Sequence, residues 1–308
     1  MSIAALFPGQ GSQAVGMARD FYNHSVAAKR VLDEAEAAFP GLLELMWEGP
    51  LETLTLTANQ QPALVAASAA AFAAYVEAGG MLPTFAAGHS LGEYSAYVAA
   101  GALTVAEAVN IVHKRGQYMQ DAVPAGKGAM AAVMRAEVSA IQDVLAAVST
   151  DDDPVEIANY NSPQQTVISG TAAGVARASE RLSEARARVV PLPVSAPFHS
   201  SLMQPAASRL TPHLTAAAWS APRFTIINNV TAAPLANVAD SPRLLTEQVT
   251  GSVRWTETIE TLARLGATTL IEFGSGKVLT GLAGRIDRSL SATAITDMAS
   301  LQEVLANG

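Results

Sequence analysis

Short apolar runs alternate along this chain with longer stretches in which apolar residues recur at helical spacing. Residues 3–7 are an apolar run closed by Pro8-Gly9, the pattern of a buried strand that runs into a loop. Residues 20–39 carry apolar positions three and four apart and predict a helix. Residues 62–78 are Ala-rich and almost free of charge, which predicts a helix buried on most sides and closed by Gly79-Gly80. A brief strand at 85–87, a helix over 91–100 ended by Gly101, and a further helix over 105–119 follow. Strands alternating with helices predict an α/β core with a mainly parallel sheet.

The rhythm changes at 127–194. Strand patterns at 128–134, 155–158, 166–169 and 189–194 are interleaved with helical patterns at 137–148 and 172–187. That order, βαββαβ, is that of a ferredoxin-like unit. Pro124-Ala125-Gly126 precedes it, and Pro191, Pro193 and Pro197 mark its other edge as hinge segments. Helices at 205–217, 253–265 and 278–286 and strands at 224–228 and 268–273 then resume the first pattern. The expected architecture is a large, hydrolase-like α/β domain built from 1–125 and 196–308, with a small ferredoxin-like domain, 126–195, inserted. No tandem repeat or low-complexity tract interrupts it.

Composition narrows the functional classes. The chain has 308 residues, 50% of them hydrophobic and 15% charged, so a substantial core is expected and a disordered or fibrous chain is not. Nineteen Lys and Arg against 27 Asp and Glu leave a net charge of −8, which argues against nucleic acid or an anionic membrane as partner. With no cysteine, disulfides, thiolate metal sites and cysteine nucleophiles are excluded. The amino-terminal run lacks a basic leader and is broken by Pro8. The longest apolar stretch, 63–76, is about 14 residues, short of the roughly 20 that span a bilayer. A soluble cytoplasmic protein is expected. No His and carboxylate spacing suggests a metal.

Gly88-His89-Ser90-Leu91-Gly92 matches G-x-S-x-G and stands between a predicted strand and a predicted helix, the context that motif requires. Its glycines permit a turn too tight for a Cβ, which lifts the serine oxygen above the sheet edge. The helix that follows aims free N–H groups at the place where an oxyanion would form. Ser90 is therefore the candidate nucleophile.

A serine hydroxyl needs a base. His24, His113 and His213 lie on helices, and His89 is adjacent to Ser90, where neighbouring side chains on a tight turn point apart. His199, in Ala196-Pro197-Phe198-His199-Ser200, falls on the loop where the inserted unit rejoins the large domain, a usual place for functional residues. Two other patterns carry less. Gly9-Gln10-Gly11-Ser12-Gln13-Ala14 has the form of a dinucleotide loop, but Asp33 and Glu34, at the ribose-binding distance, fall in a helical stretch. Gly274-Ser275-Gly276-Lys277 lacks the upstream Gly of a phosphate loop, and Val278 replaces its Ser or Thr.

Over nearly its whole length the chain resembles the malonyl-CoA:acyl carrier protein transacylases. The resemblance rests on Phe7-Pro8-Gly9-Gln10-Gly11-Ser12-Gln13, Gly88-His89-Ser90-Leu91-Gly92-Glu93-Tyr94 and Lys114-Arg115-Gly116-Gln117-Tyr118-Met119-Gln120. Asn161-Ser162-Pro163, Phe198-His199-Ser200, Val253-Arg254-Trp255 and Gly274-Ser275-Gly276-Lys277-Val278-Leu279 complete it. It implies that Ser90 is acylated, that His199 is its base, and that the main-chain carbonyl of Gln248 orients the imidazole. The oxyanion hole would be the N–H groups of Gln10 and Leu91.

Arg115 would pair with the malonyl carboxylate, and Phe198 would exclude an α-methyl group. Without the family, Gln248 reads as an exposed helix residue, Arg115 as a solvated one and the Gln10 side chain as idle. Also implied are malonyl-CoA and CoA as substrate and product with no resident cofactor, acyl carrier protein as partner, supply of fatty acid elongation, and a monomer. An acidic carrier protein needs a basic patch on an acidic chain; Lys277, Arg285 and Arg288 are the candidates. The competing expectations are a serine hydrolase or thioesterase with the same turn, which would require an acid to orient His199, and a non-catalytic binding module.

Overall fold

The computed structural model describes residues 2–194 and 196–307. Its strands are β1 (Ile3–Phe7), β2 (Phe85–Gly88), β3 (Gly128–Met134), β4 (Val155–Ser162), β5 (Gln165–Thr171), β6 (Arg188–Pro191), β7 (Thr225–Ile227), β8 (Thr269–Phe273) and β9 (Ser291–Ile295). Five form one sheet in the order β7-β2-β1-β8-β9, and every neighbouring pair in it is parallel. β1 and β2 are buried at every position, as strands covered by helices on both faces must be. They end in register at the Phe7–Gly88 pair. The carboxyl edge just beyond that pair is where open α/β sheets hold their ligands.

The other four strands form an antiparallel sheet in the order β4-β5-β3-β6. Its two faces divide by the two-residue period of a strand. Ala131 and Val133 pack with Ile141, Leu145 and Val175 in a core of its own, under the helices Val138–Val148 and Ala172–Glu184. Met130 and Ala132 turn the opposite way and join the main core. Asn159 and Val253 form a parallel bridge between the two parts, secured by Tyr160 N–H to the Val253 carbonyl (2.9 Å) and Val253 N–H to that of Ala158 (2.8 Å).

Most predicted elements are present with edges shifted by one to a few residues. The stretch 20–39 is two helices, Arg19–His24 and Val26–Ala38. Ser25 breaks them with an extended backbone, and its hydroxyl caps the second by accepting from Ala28 N–H. The pattern did not reveal the helices Leu42–Glu48, Leu51–Thr55 and Met298–Asn307 or the strand β9, and of the helix Ser241–Thr250 it gave only Gln248 as helical, without bounds. Ser195, at the expected seam of the insert, lies outside the described residues. No described helix is long and apolar enough to cross a membrane.

One packing contact decides where Arg115 points. The buried helix Thr57–Glu77 contains Pro62, which has no N–H to give the Ala58 carbonyl. His113, on the helix Val105–Asp121, supplies the missing donor with its Nδ1 at 2.8 Å from that carbonyl. The same two helices touch at Gly116, where a Cβ would lie 2.5 Å from the Thr57 carbonyl oxygen. Gly116 must therefore be glycine for this approach, and the contact turns its neighbour Arg115 inward, to 0% exposure.

Candidate active site

The turn after β2 is forced by its neighbours. A Cβ on Gly88 would stand 1.9 Å from the Gly92 carbonyl carbon, and one on Gly92 would stand 2.0 Å from the Phe7 carbonyl oxygen. Between them Ser90 has φ 51°, a left-handed conformation that costs an L-residue about 1–2 kcal/mol and is kept only where surroundings enforce it. Asn229, just past β7, holds the turn from both sides. Its Oδ1 accepts the Ser90 N–H at 2.7 Å, and its Nδ2 donates to the Gly88 carbonyl at 2.7 Å.

Ser90 Oγ lies 2.7 Å from His199 Nε2. The other ring nitrogen, Nδ1, faces the carbonyl oxygens of Gln248 (2.9 Å) and Gly251 (3.0 Å). Carbonyls only accept, so Nδ1 carries the hydrogen and Nε2 is left to accept from the serine hydroxyl. His199 itself has φ 57°, so both members of the pair sit on strained turns. It is 4% exposed, and burial, reinforced by the positive charge of Arg115, pulls its pKa down to about 3. The imidazole is neutral, as a base must be. Among the described residues its Nδ1 meets two carbonyls and no carboxylate, unlike the acid-oriented histidine of a Ser-His-acid hydrolase.

Gln248, on the helix Ser241–Thr250, is 0% exposed, which corrects its sequence reading as an exposed residue. Its main chain meets His199, and its side chain has three partners. Nε2 donates to the Ser90 carbonyl (2.9 Å) and to Glu93 Oε2 (2.7 Å), while Oε1 accepts from Arg115 Nη2 (3.0 Å). The buried helix supplies what polar sequence spacing hid: Leu244, Leu245 and Val249 anchor it in the core.

Arg115 is likewise buried rather than solvated. Its Nη1 donates to Gln61 Oε1 (2.9 Å) and its Nη2 also reaches Ser90 Oγ (3.2 Å). It stands over the Tyr94 ring, 5.6 Å from the centroid. Its Nε finds no acceptor, and it forms no ion pair among the described residues. A buried guanidinium with no contacting carboxylate and one N–H unsatisfied favours an anion that reaches it.

Gln10 follows the loop after β1, and its side chain is not idle. Its Nε2 donates to Gln60 Oε1 (2.7 Å), and its Oε1 accepts from Gln61 Nε2 (3.3 Å), so Gln61 joins it to Arg115. Among the described residues the backbone N–H groups of Gln10 and Leu91 donate to no protein acceptor. Leu91 precedes the helix Gly92–Ala99, whose amino terminus adds its dipole at this spot.

A chamber of about 670 Å³ opens onto Ser90 and His199, walled by Gln10, His89, Met130, Asn159, Leu192 and Phe198 among others. His89 points away from Ser90, to Asn161 Oδ1 at 2.8 Å. Lys277 and Arg285 lie outside this chamber, exposed; Arg285 lines a separate cleft with Arg135 and Arg288. Sequence reasoning missed Asn229, Glu93, Gln60 and Gln61. For Glu93 the signal was an acid inside an otherwise apolar helix; for Asn229 it was a polar residue at the carboxyl end of a strand. No cluster of metal-ligating side chains occurs among the described residues.

Comparison with known proteins agrees with the geometry. Residues 5–283 match the family model of the acyl transferase domain. The malonyl CoA-acyl carrier protein transacylase of Bacillus subtilis (strain 168) is 47% identical over 302 residues, covering 97% of this chain and 95% of the relative. That of Escherichia coli (strain K12) is 40% identical over 304 residues, covering 98% of each. An acyl-carrier-protein S-malonyltransferase from Burkholderia pseudomallei 1710b superimposes with a TM-score of 0.96 at 44% identity, covering 99% of this chain and 100% of that one. A malonyl-transacylase solved in complex with a type II PKS acyl-carrier protein gives a TM-score of 0.96 at 40% identity and full coverage of both chains.

Proposed function

The chain belongs to the acyl transferase domain family and, within it, to the malonyl-CoA:acyl carrier protein transacylases, and from that premise we propose how its residues divide the work. The reaction moves a malonyl group from coenzyme A to acyl carrier protein. The observation that carries the assignment of roles is the contact of one serine oxygen with both a neutral imidazole and an unpaired buried guanidinium.

As Ser90 Oγ bonds to the thioester carbonyl carbon, His199 Nε2 takes its proton. The negative charge that develops on the carbonyl oxygen rests on the N–H groups of Gln10 and Leu91. The C–S bond then breaks, and the CoA sulfur leaves as a thiol with the proton held by His199. The malonyl-Ser90 ester remains, its carboxylate paired with Arg115, which gains a directly contacting carboxylate that it lacks in the empty site. Attack by the phosphopantetheine thiol of the carrier protein runs the same steps in reverse.

Two carbonyls rather than a carboxylate orient His199, so it is a weaker base than a triad histidine. A thiol, more acidic than water, can still deliver its proton to it, and this favours transfer over hydrolysis. Phe198 is 7% exposed on the chamber wall, and we assign to its ring the exclusion of an added α-methyl. We assign carrier-protein docking to Lys277 and Arg285.

The division into a hydrolase-like domain, 1–125 and 196–308, and a ferredoxin-like insert, 126–195, is supported by the strand orders of the two sheets. A cytoplasmic monomer without a resident cofactor, supplying fatty acid elongation, fits the same reading. The test is transfer of labelled malonyl from CoA to phosphopantetheinylated carrier protein. Label that appears only as free malonate would mean a hydrolase instead.

A further inference from the structure

Glu93 lies one turn beyond Ser90 on the helix Gly92–Ala99 and is 1% exposed. Both of its hydrogen bonds fall on one oxygen: Oε2 accepts from Asn229 N–H (3.1 Å) and from Gln248 Nε2 (2.7 Å). Oε1 has no hydrogen-bond partner among the described residues. Through Gln248, whose Oε1 accepts from Arg115, Glu93 stands one amide away from the guanidinium and within reach of its field. The charged and titratable groups around it are Arg115, on the helix Val105–Asp121, and Tyr94 and Tyr97 on its own helix; Gln248 and Asn229 are neutral.

We propose that Glu93 is a removable counter-charge for Arg115 and thereby a specificity-determining residue: partly ionised while the acyl site is empty, protonated once a malonyl carboxylate pairs with the guanidinium. Both hydrogen bonds on Oε2 survive protonation of Oε1, so the scaffold does not change while the charge does. Burial lifts this carboxyl to about 7, where a small change of field moves the proton. A second carboxylate beside Arg115 is such a change, because like charges in one buried site favour protonating one of them. The acyl transfer is itself proton-neutral near pH 7, since the Ser90 hydrogen leaves on the CoA thiol. His199, lowered to about 3 mainly by burial, stays neutral there, so net uptake is assigned to Glu93 and Glu93→Gln tests that assignment. An acetyl group brings no charge and should move no proton.

This rests on the acylation of Ser90 and the pairing with Arg115 proposed above, so adduct formation is followed by intact mass alongside proton uptake. In weak buffer at about pH 7 with an indicator dye, malonyl-CoA should draw about half a proton per adduct into the wild-type protein, and acetyl-CoA none. Glu93→Gln keeps an oxygen for both donors and should form the malonyl adduct with no uptake. The wild-type ratio of malonyl to acetyl kcat/KM should fall about three- to tenfold between about pH 6 and pH 8.5, as Glu93 ionises and neutralises Arg115. In Glu93→Gln it should stay flat. A wild-type malonyl adduct formed without proton uptake overturns the proposal and leaves the transfer chemistry standing, whether or not the variant folds. Uptake retained in a folded Glu93→Gln overturns it equally. Absence of any adduct would overturn both, and the mass distinguishes the cases.

Discussion

Arg115 Nη2 donates to Ser90 Oγ across 3.2 Å, so the residue proposed to select the acyl chain touches the proposed nucleophile. The guanidinium is held by Gln61 and Gln248 but carries no ion pair among the described residues, and in the proposed acyl-enzyme a malonyl carboxylate would pair with it where an acetyl methyl could not. Arg115→Ala should lower malonyl kcat/KM by about 10- to 150-fold, the equivalent of about 1.5–3 kcal/mol for a charge-assisted hydrogen bond. Acetyl transfer should be unchanged or faster. Parallel rate measurements with the two thioesters decide; equal losses would mean that Arg115 only supports the fold.

Phe198 lines the chamber beside His199. Replacing it by serine should raise methylmalonyl-CoA turnover by about 10- to 100-fold, in line with the ~1–3 kcal/mol by which a pocket excludes one methyl group. Unaltered discrimination between malonyl and methylmalonyl would assign the ring to packing alone.

The acid limb of stability should report His199. Its pKa in the folded protein is about 3, against about 6.5 for an imidazole in an unfolded chain. Above about pH 6.5 neither state holds the proton and His199 adds no pH dependence. As pH falls below that value the unfolded state takes up a proton that the native state refuses, and stability drops by up to ~1.4 kcal/mol per pH unit. Urea titrations between about pH 4 and pH 6 should therefore give a slope steeper by about one proton in the wild type than in His199→Asn. Identical slopes would show that the native imidazole titrates normally.

Asn229 makes no direct contact with the reacting atoms in this account, yet it ties both ends of the nucleophile turn. Asn229→Ala leaves the Ser90 N–H and the Gly88 carbonyl without their partner, at about 1–3 kcal/mol per buried group. Lower thermal stability should accompany a fall in kcat that exceeds any rise in KM for malonyl-CoA. A variant with full kcat would mean that Gly88 and Gly92 hold the turn unaided.

Exposed basic residues near the helix Val278–Ile286 should act only in the second half of the cycle. Reversing Lys277 and Arg285 to Glu should raise KM for carrier protein by about tenfold, through lost electrostatic steering. The yield of malonyl-Ser90 from malonyl-CoA should stay the same. Unaltered carrier-protein kinetics would move docking elsewhere.

The legible parts of this molecule were the local ones. The strand, glycine turn and helix around Ser90 are written in consecutive residues, and the βαββαβ order is written in alternating periodicities. Gln248 and Arg115 read as solvated because their neighbours in sequence are polar; their burial depends on helices from distant segments. Asn229 serves a serine 139 positions away, a relation that no spacing encodes. The strand β9, Ser291–Ile295, escaped notice because Ser, Ala and Thr at a partly exposed edge carry no strong alternation. The break at Ser25 was readable in principle, since Ser is a favoured cap, but the apolar spacing continues across it.

The most direct measurement is the mass of the intact protein after mixing with malonyl-CoA, followed by peptide mapping of the adduct. One malonyl group should appear on Ser90, be absent from Ser90→Ala, and disappear when phosphopantetheinylated carrier protein is added. An adduct that survives the loss of Ser90, or a wild-type protein that transfers malonyl without ever carrying it, would contradict the account.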